Sequence, residues 1–324
     1  MSDKIGWGIL GAGSIARKFA TDLKNLDDAR LVAVGSRSAD KAAAFADEVG
    51  GERAYGSYAG MVNDPEVDVV YVATPHPFHR EHAILCLEAG KAVLGEKPMA
   101  VNAGQVRDMV ACAREEDVFM MEAMWTRFNP VTVQVRRWLA EGKIGDVRLL
   151  EVDFGFRAGL NPEGRLFNLD LAGGALLDVG VYVVAYAAMV FGRSPTQIQA
   201  SAHIGEMGVD EQTAMLFKYD AGQLALLSCA VRASTPHEAR IMGSEGSIHI
   251  PAFWHAASAT LAVQGQEPVV CTGAFGYHYE AAEVMACLRA GQKESATMPL
   301  DESIAIAETM DEVRRQIGLK YPME

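Results

Sequence analysis

The sequence predicts an α/β protein: a doubly wound parallel sheet at the N-terminus, then an α+β domain with a large, mostly antiparallel, open-faced sheet. Three observations carry this. At 324 residues the chain is long enough for two cores, given roughly 100–200 residues per domain. Up to about residue 123, short near-continuous apolar strands alternate with helical periodicity, the pattern of parallel strands covered on both faces. From residue 147, apolar and polar positions alternate, as in half-exposed strands. The predicted domains are 1–123 and 124–324.

Each element has its own warrant. Ile5-Gly6-Trp7-Gly8-Ile9-Leu10 is an apolar strand, followed by a glycine turn and helical spacing at Ile15, Ala16, Phe19, Ala20 and Leu23. Residues 31–35 form the next strand and 39–49 the next helix, closed by Gly50-Gly51. Residues 68–73 and 92–94 are further strands, with a helix ending at Gly90 between them. In the second half, strands fall at 147–156, 197–203, 213–219, 223–231, 238–243, 247–250 and 260–263. Tyr219-Asp220-Ala221-Gly222 and Gly243-Ser244-Glu245-Gly246 are turns between them. Residues 173–186 read as a helix apolar all round, hence buried, that stops at Gly192. Residues 301–317 form an amphipathic helix closed by Gly318.

Composition bounds the function. Half the residues are apolar, 22% charged and 8% aromatic, which excludes disordered, collagen-like and coiled-coil classes. With 29 basic against 42 acidic residues, the net charge is −13. No global field attracts phosphate polymers or anionic membranes, so neither nucleic acid nor membrane is an expected partner. The five cysteines are scattered beside apolar neighbours without C-x-x-C spacing, the usage of buried thiols in a reducing compartment. The chain enters its first strand directly after Lys4, and the apolar run 179–191 is shorter than the roughly 20 residues a bilayer span needs. A cytoplasmic location follows as an expectation.

Gly11-Ala12-Gly13-Ser14-Ile15-Ala16 fits G-x-G-x-x-A between a strand and a helix. In that context Gly11 allows the tight turn, Gly13 lets a pyrophosphate approach the backbone, and the amides of Ser14 and Ile15 open the helix toward the anion. This predicts a Rossmann dinucleotide site. The end of the second strand, Gly35-Ser36-Arg37-Ser38, lacks the carboxylate that accepts from a ribose 2′-hydroxyl. Arg37 suits a 2′-phosphate instead, with Ser36 and Ser38 as hydroxyl donors, so the expected cofactor is NADP. The alternative for Arg37 is a solvent-exposed arginine without a ligand.

Chemistry is expected at strand ends of the parallel sheet. One carries Thr74-Pro75-His76-Pro77-Phe78-His79, with Thr74, His76 and His79 as cofactor contacts. The other carries Glu96-Lys97-Pro98, with Glu96 and Lys97 beside the nicotinamide and a proline whose peptide bond is a candidate for cis. Asp178 is the only charge in the apolar helix, and Tyr182 follows one turn later on the same face. A buried carboxylate needs a cation or several donors, and Lys97 is the candidate partner. The His76, His79 and His82 run lacks a completing ligand set for zinc, so no metal is expected.

Together the glycine turn, Ala73-Thr74-Pro75, Glu96-Lys97-Pro98 and Asp178-x-x-x-Tyr182 resemble the Gfo/Idh/MocA family, the glucose–fructose oxidoreductase type. Residues 121–130 and 173–182 are most similar to its branch of dimeric dihydrodiol dehydrogenases and NADP-dependent D-xylose dehydrogenases. Many inositol-type members have histidine where this chain has Tyr182. The resemblance implies that Tyr182 is the general acid/base, its phenol lowered from about 10 by the Lys97 ammonium. It also implies that Lys97 donates to the reacting oxygen and that Asp178 orients the pair; which of Lys97 and Tyr182 moves the proton stays open. Trp125, Arg127, Phe154, Trp254 and Tyr279 would line the substrate site, where aromatic faces suit the C–H face of a sugar or cyclic diol.

The expected reaction is hydride transfer between NADP and a secondary alcohol, hemiacetal or carbonyl, with aldose 1-oxidation and trans-dihydrodiol oxidation leading. A keto-sugar or 1,5-anhydrofructose-type reductase is the close alternative, and a non-catalytic NADP-sensing regulator the alternative of another class. The open face of the second sheet is the expected homodimer surface.

Overall fold

The computed structural model describes residues 4–324. Among them, six strands build the first sheet: β1 (Ile5–Leu10), β2 (Ala29–Gly35), β3 (Arg53–Tyr55), β4 (Val69–Val72), β5 (Ala92–Glu96) and β6 (Met120–Ala123). Their order is β3-β2-β1-β4-β5-β6, and every neighbouring pair is parallel. Helices α1 (Ser14–Leu23), α2 (Ala39–Val49), α3 (Tyr58–Val62), α4 (His79–Glu88) and α5 (Ala103–Glu115) lie between these strands in the chain. Strands β1, β4 and β5 are buried throughout, which is why they read as unbroken apolar runs. The order reverses between β1 and β4, and such a switch point opens a crevice at the strand ends. The short β3 and β6 are the strands of this sheet that sequence patterning leaves unassigned.

Eight strands build the second sheet: β7 (Val147–Gly155), β8 (Gln197–Ile204), β9 (Asp210–Lys218), β10 (Leu224–Ala230), β11 (Ala239–Gly243), β12 (Gly246–Ile250), β13 (Ser258–Val263) and β14 (Val269–Thr272). The order is β14-β13-β12-β11-β7-β10-β9-β8. The β7–β10 pair is parallel and the other neighbours are antiparallel. Both predicted turns connect antiparallel neighbours, β9 to β10 and β11 to β12. One face of the sheet buries Val152, Phe154, Met215, Phe217, Leu227 and Ile241, while Leu216 and Leu226 stay 37% and 44% exposed on the other.

Helix α6 (Pro130–Ala140) precedes this sheet, and α7 (Val181–Phe191) follows β7. A π-helical turn, Leu176–Gly180, leads into α7, and Gly192 ends it at φ +64°. With the 3-10 turn at its start, the stretch Leu169–Phe191 is 23 residues long. It therefore exceeds the run predicted from sequence and is long and apolar enough to cross a bilayer. In the structure most of this stretch is buried inside the protein, as in a core helix.

A single boundary after residue 123 does not describe the units. One unit comprises Met1–Trp125 and Gly276–Ile304, the other Thr126–Phe275 and Ala305–Glu324. Helix α8 (His278–Arg289) thus belongs with the parallel sheet, and the division falls inside α9 (Leu300–Ile317). Polar ties hold the returning segment. The Tyr277 amide donates to Asp22 at 2.7 Å, Arg289 pairs with Asp28, and the Met120 amide donates to the Lys293 carbonyl. All five cysteines are thiols; Cys86, Cys229 and Cys287 are buried, whereas Cys112 and Cys271 are partly exposed, against the expected burial of each.

Candidate functional site

In the first unit, the chain leaves β1 through Gly11 at φ +107°, a conformation L side chains rarely adopt. A Cβ there would lie 2.8 Å from the Ala73 carbonyl at the end of β4. A Cβ on Gly13 would meet nothing within 4 Å. Gly13 caps α1 without a side-chain acceptor, so the first-turn amides, including those of Ser14 and Ile15, keep their donors at the positive end of the helix. Open space over a bare helix start is what a pyrophosphate requires, and the residues present fit a dinucleotide.

At the end of β2, Ser36 is buried and Ser38 caps α2, its hydroxyl oxygen accepting from the Lys41 amide at 3.4 Å. Ser38 therefore has a structural task besides the predicted one. Arg37 is exposed and forms no ion pair among the described residues. Its charge reaches Tyr58 and His82, opposing the rise of the former's pKa and adding to the burial that lowers the latter's.

The two predicted strand ends are tied to each other. His79 is 1% exposed; its Nε2 lies 2.6 Å from the Thr74 carbonyl and its Nδ1 2.9 Å from the Pro98 carbonyl. Burial, above all, lowers its pKa. His79 thus sits between the loops after β4 and β5, where a neutral ring donates to one of the two carbonyls. Thr74 bonds His82 through its hydroxyl. His76 stands edge-on to His79 with ring centroids 5.7 Å apart. The Lys97-Pro98 peptide is cis, as anticipated. Glu96 is buried, accepting from the Tyr71 hydroxyl and from the Lys97 amide. On α8, Glu280 is fully buried and neither carboxyl oxygen has a hydrogen-bond partner. Burial, with the charges of Glu96 and Asp22, holds that carboxyl well above its usual range. Sequence patterning gave no sign of it, because an acidic residue in a helical stretch normally faces solvent.

The aromatic set is divided by chain segment. Trp125 and Tyr279 belong to the first unit. Trp125 is 2% exposed and packs on Tyr277 at 5.0 Å. Tyr279 lies beside His278 at 4.1 Å. In the second unit, Arg127 is 3% exposed and donates to the Ala185 carbonyl of α7 at 2.9 Å. That bond anchors α7.

Phe154, Tyr182 and Trp254 do come together in the second unit. Phe154 stacks on Trp254 at 5.0 Å and 17°, and lies 5.4 Å from the Tyr182 ring. Asp178 sits in the π-helical turn and forms an ion pair with Arg165. Arg165, which the sequence reading did not single out, supplies a cation for Asp178 from the same unit. The start of this turn is held by Asp210, buried at the beginning of β9. Its carboxylate accepts from the Leu176 amide at 2.8 Å and the Thr213 hydroxyl at 2.7 Å. Burial outweighs these donors and pushes Asp210 up to about 7. Gly174, at φ +116°, gives it room, since a Cβ there would lie 2.2 Å from Asp210 Oδ1.

Among the described residues, no group of three His, Cys, Asp or Glu side chains is arranged to hold a metal. Residues 5–124 match the oxidoreductase family with an NAD-binding Rossmann fold, and residues 132–249 match the GFO/IDH/MocA C-terminal domain. The protein is therefore an enzyme, a dinucleotide-binding oxidoreductase, and the non-catalytic sensor is set aside. The trans-1,2-dihydrobenzene-1,2-diol dehydrogenases of Danio rerio and Mus musculus are 42% and 41% identical, each alignment covering 98% of both chains. A solved structure of KijD10, a 3-ketoreductase from Actinomadura kijaniata in complex with NADP and TDP-benzene, is 26% identical. It covers 97% of this chain and 98% of its own, with a TM-score of 0.85. The chain belongs to the Gfo/Idh/MocA family.

Proposed function

We propose that the protein is an NADP-dependent oxidoreductase acting on a secondary alcohol, hemiacetal or carbonyl of a cyclic diol or sugar, with trans-dihydrodiol oxidation the leading reaction and aldose 1-oxidation next. The observation that carries the reading is the placement of the Tyr182 phenol beside the stacked Phe154 and Trp254 rings in a chain 42% identical to a dihydrodiol dehydrogenase. A polar proton-transfer group against apolar ring faces suits a substrate with hydroxyls on one edge and C–H or aryl surface on the other. The likeness to the 3-ketoreductase supports a second reading, reduction of a keto-sugar.

Bound NADP would supply a hydride acceptor in oxidation and a donor in reduction. Gly11, Gly13 and the α1 amides would hold the pyrophosphate, and Arg37, helped by Ser36 and Ser38, would hold the 2′-phosphate. Glu96, Lys97, Thr74 and His76 would border the nicotinamide, at strand ends against which His79 packs. Tyr182 Oη takes the proton of the substrate hydroxyl in oxidation and returns it in reduction. The family resemblance assigns Lys97 the role of donor to the reacting oxygen. Asp178, clamped by Arg165, keeps the helix turn below Tyr182 in register.

A homodimer through the open sheet face is part of this reading. Leu216 and Leu226 are exposed there, and a concavity of about 740 Å³ lined by Glu151, Leu216, Leu226 and Arg240 lies on that face. A cytoplasmic location is likewise inferred from the five thiols. Initial rates of NADP⁺ and NAD⁺ reduction at trans-dihydrodiols, aldoses and inositols test the whole. Turnover with NADP⁺ on one class is expected, and Arg37→Ala should lower the NADP⁺-to-NAD⁺ preference by about ten-fold or more. Equal use of both cofactors by the wild type would overturn the 2′-phosphate assignment; gel filtration as a monomer would overturn the dimer.

A further inference from the structure

Four non-glycine residues among those described have positive φ, and two of them, His237 (+63°) and Ala252 (+46°), flank the same aromatic cluster. Such conformations persist only where surrounding contacts impose them. The His237 amide donates to Asp153 Oδ2 at 2.7 Å, and its carbonyl accepts from the Phe253 amide at 2.9 Å. The His255 amide bonds back to the Ala252 carbonyl at 2.9 Å, closing the turn that carries Trp254. His237 Nε2 lies 2.5 Å from the Gly155 carbonyl. A carbonyl can only accept, so Nε2 carries the proton and Nδ1 presents a lone pair. That lone pair faces the Trp254 indole N–H at 3.4 Å. The imidazole also lies 5.0 Å from the Phe154 ring.

We propose that His237 is a specificity-determining positioning residue, which holds Trp254 by its indole N–H so that the ring offers substrate its apolar face and no hydrogen-bond donor. The inference rests on the reading of Trp254 as part of the substrate wall. An indole whose N–H is already bonded has nothing to give a sugar hydroxyl, while its face still packs on a hydrocarbon ring. The arrangement favours a cyclic dihydrodiol over a polyhydroxylated sugar, because a substrate hydroxyl placed there loses water and gains no partner.

The test is steady-state kinetics of the full-length enzyme on a trans-dihydrodiol and on D-xylose. The variants are His237→Asn, Trp254→Ala, Trp254→Phe and the double variant His237→Asn with Trp254→Phe. Asparagine tolerates positive φ but is too short to reach the indole. For His237→Asn the dihydrodiol KM should rise about ten-fold with kcat little changed, and the preference for the diol over xylose should shrink. On the Trp254→Phe background the same change should cost less than about two-fold, since the N–H is already gone. Circular dichroism and melting temperature separate this from misfolding. Should His237→Asn leave KM and the preference unchanged while Trp254→Ala raises KM, the inference is overturned and the site reading stands. Should Trp254→Ala leave KM unchanged, the site reading itself fails.

Discussion

The loops that hold a nucleotide in the first unit and the aromatic cluster of the second are stabilised in different ways. In the first, each group follows directly on a parallel strand, and a single buried imidazole, His79, is packed between the strand ends. The positions are set by backbone: a positive φ at Gly11, a cis bond at Lys97-Pro98. In the second, Phe154, Tyr182, His237 and Trp254 come from a strand, a helix, a loop and a tight turn. Their positions are set by side chains bonding across segments, as in Asp210 to Leu176 and Trp254 to His237. Constraint by backbone leaves room for a ligand to lie against the chain; constraint by side chains can be altered one residue at a time without moving the sheet.

The largest expected effect belongs to the second unit. Tyr182→Phe keeps the ring that packs on Phe154 and removes the hydroxyl, so kcat should fall by about 10²–10⁴-fold. Nucleotide affinity, followed by quenching of tryptophan fluorescence, should hold. Loss of both together would mean the phenol holds structure and not a proton. The first unit divides its two glycines. Gly11→Ala meets the Ala73 carbonyl and a forbidden φ, and should destabilise the fold by roughly 1–3 kcal/mol. Gly13→Ala meets nothing in the protein, so its melting temperature should stay near wild type while nucleotide binding weakens. Equal behaviour of the two would break the contrast between a turn requirement and a ligand requirement.

The smallest effect is a pH dependence. Burial raises Asp210 from 3.8 to about 7, so the folded chain keeps a proton that the unfolded chain releases above its own lower value. The associated stability is fully present below about pH 4 and is lost as pH rises through about 7. Melting temperatures of wild type and Asp210→Asn, compared between pH 4 and 8, should diverge over that window, with the wild type declining more. Parallel curves would show that the Leu176 and Thr213 donors keep Asp210 ionised throughout.

How much of the site was legible depended on the distance over which it is built. The glycine turn, the missing carboxylate after β2 and the strand ends at Thr74 and Glu96 were readable because a parallel strand, its loop and its helix are contiguous in the chain. Tyr182 and Asp178 were readable as polar residues in an otherwise apolar helix. Arg165 and His237 left no trace: each is a polar residue in a polar stretch until the fold supplies its partner. The sequence, by itself, determined two kinds of sheet, a dinucleotide turn and a buried helix bearing a phenol and a carboxylate, because periodicity and turn chemistry act over a few residues. Only the tertiary structure decided that 276–304 returns to the first unit, that Arg127 serves α7, and that His237 holds Trp254. An amphipathic helix shows that it must cover something apolar, and a lone polar side chain shows that it needs a partner; which surface and which partner depend on contacts between residues far apart in the chain.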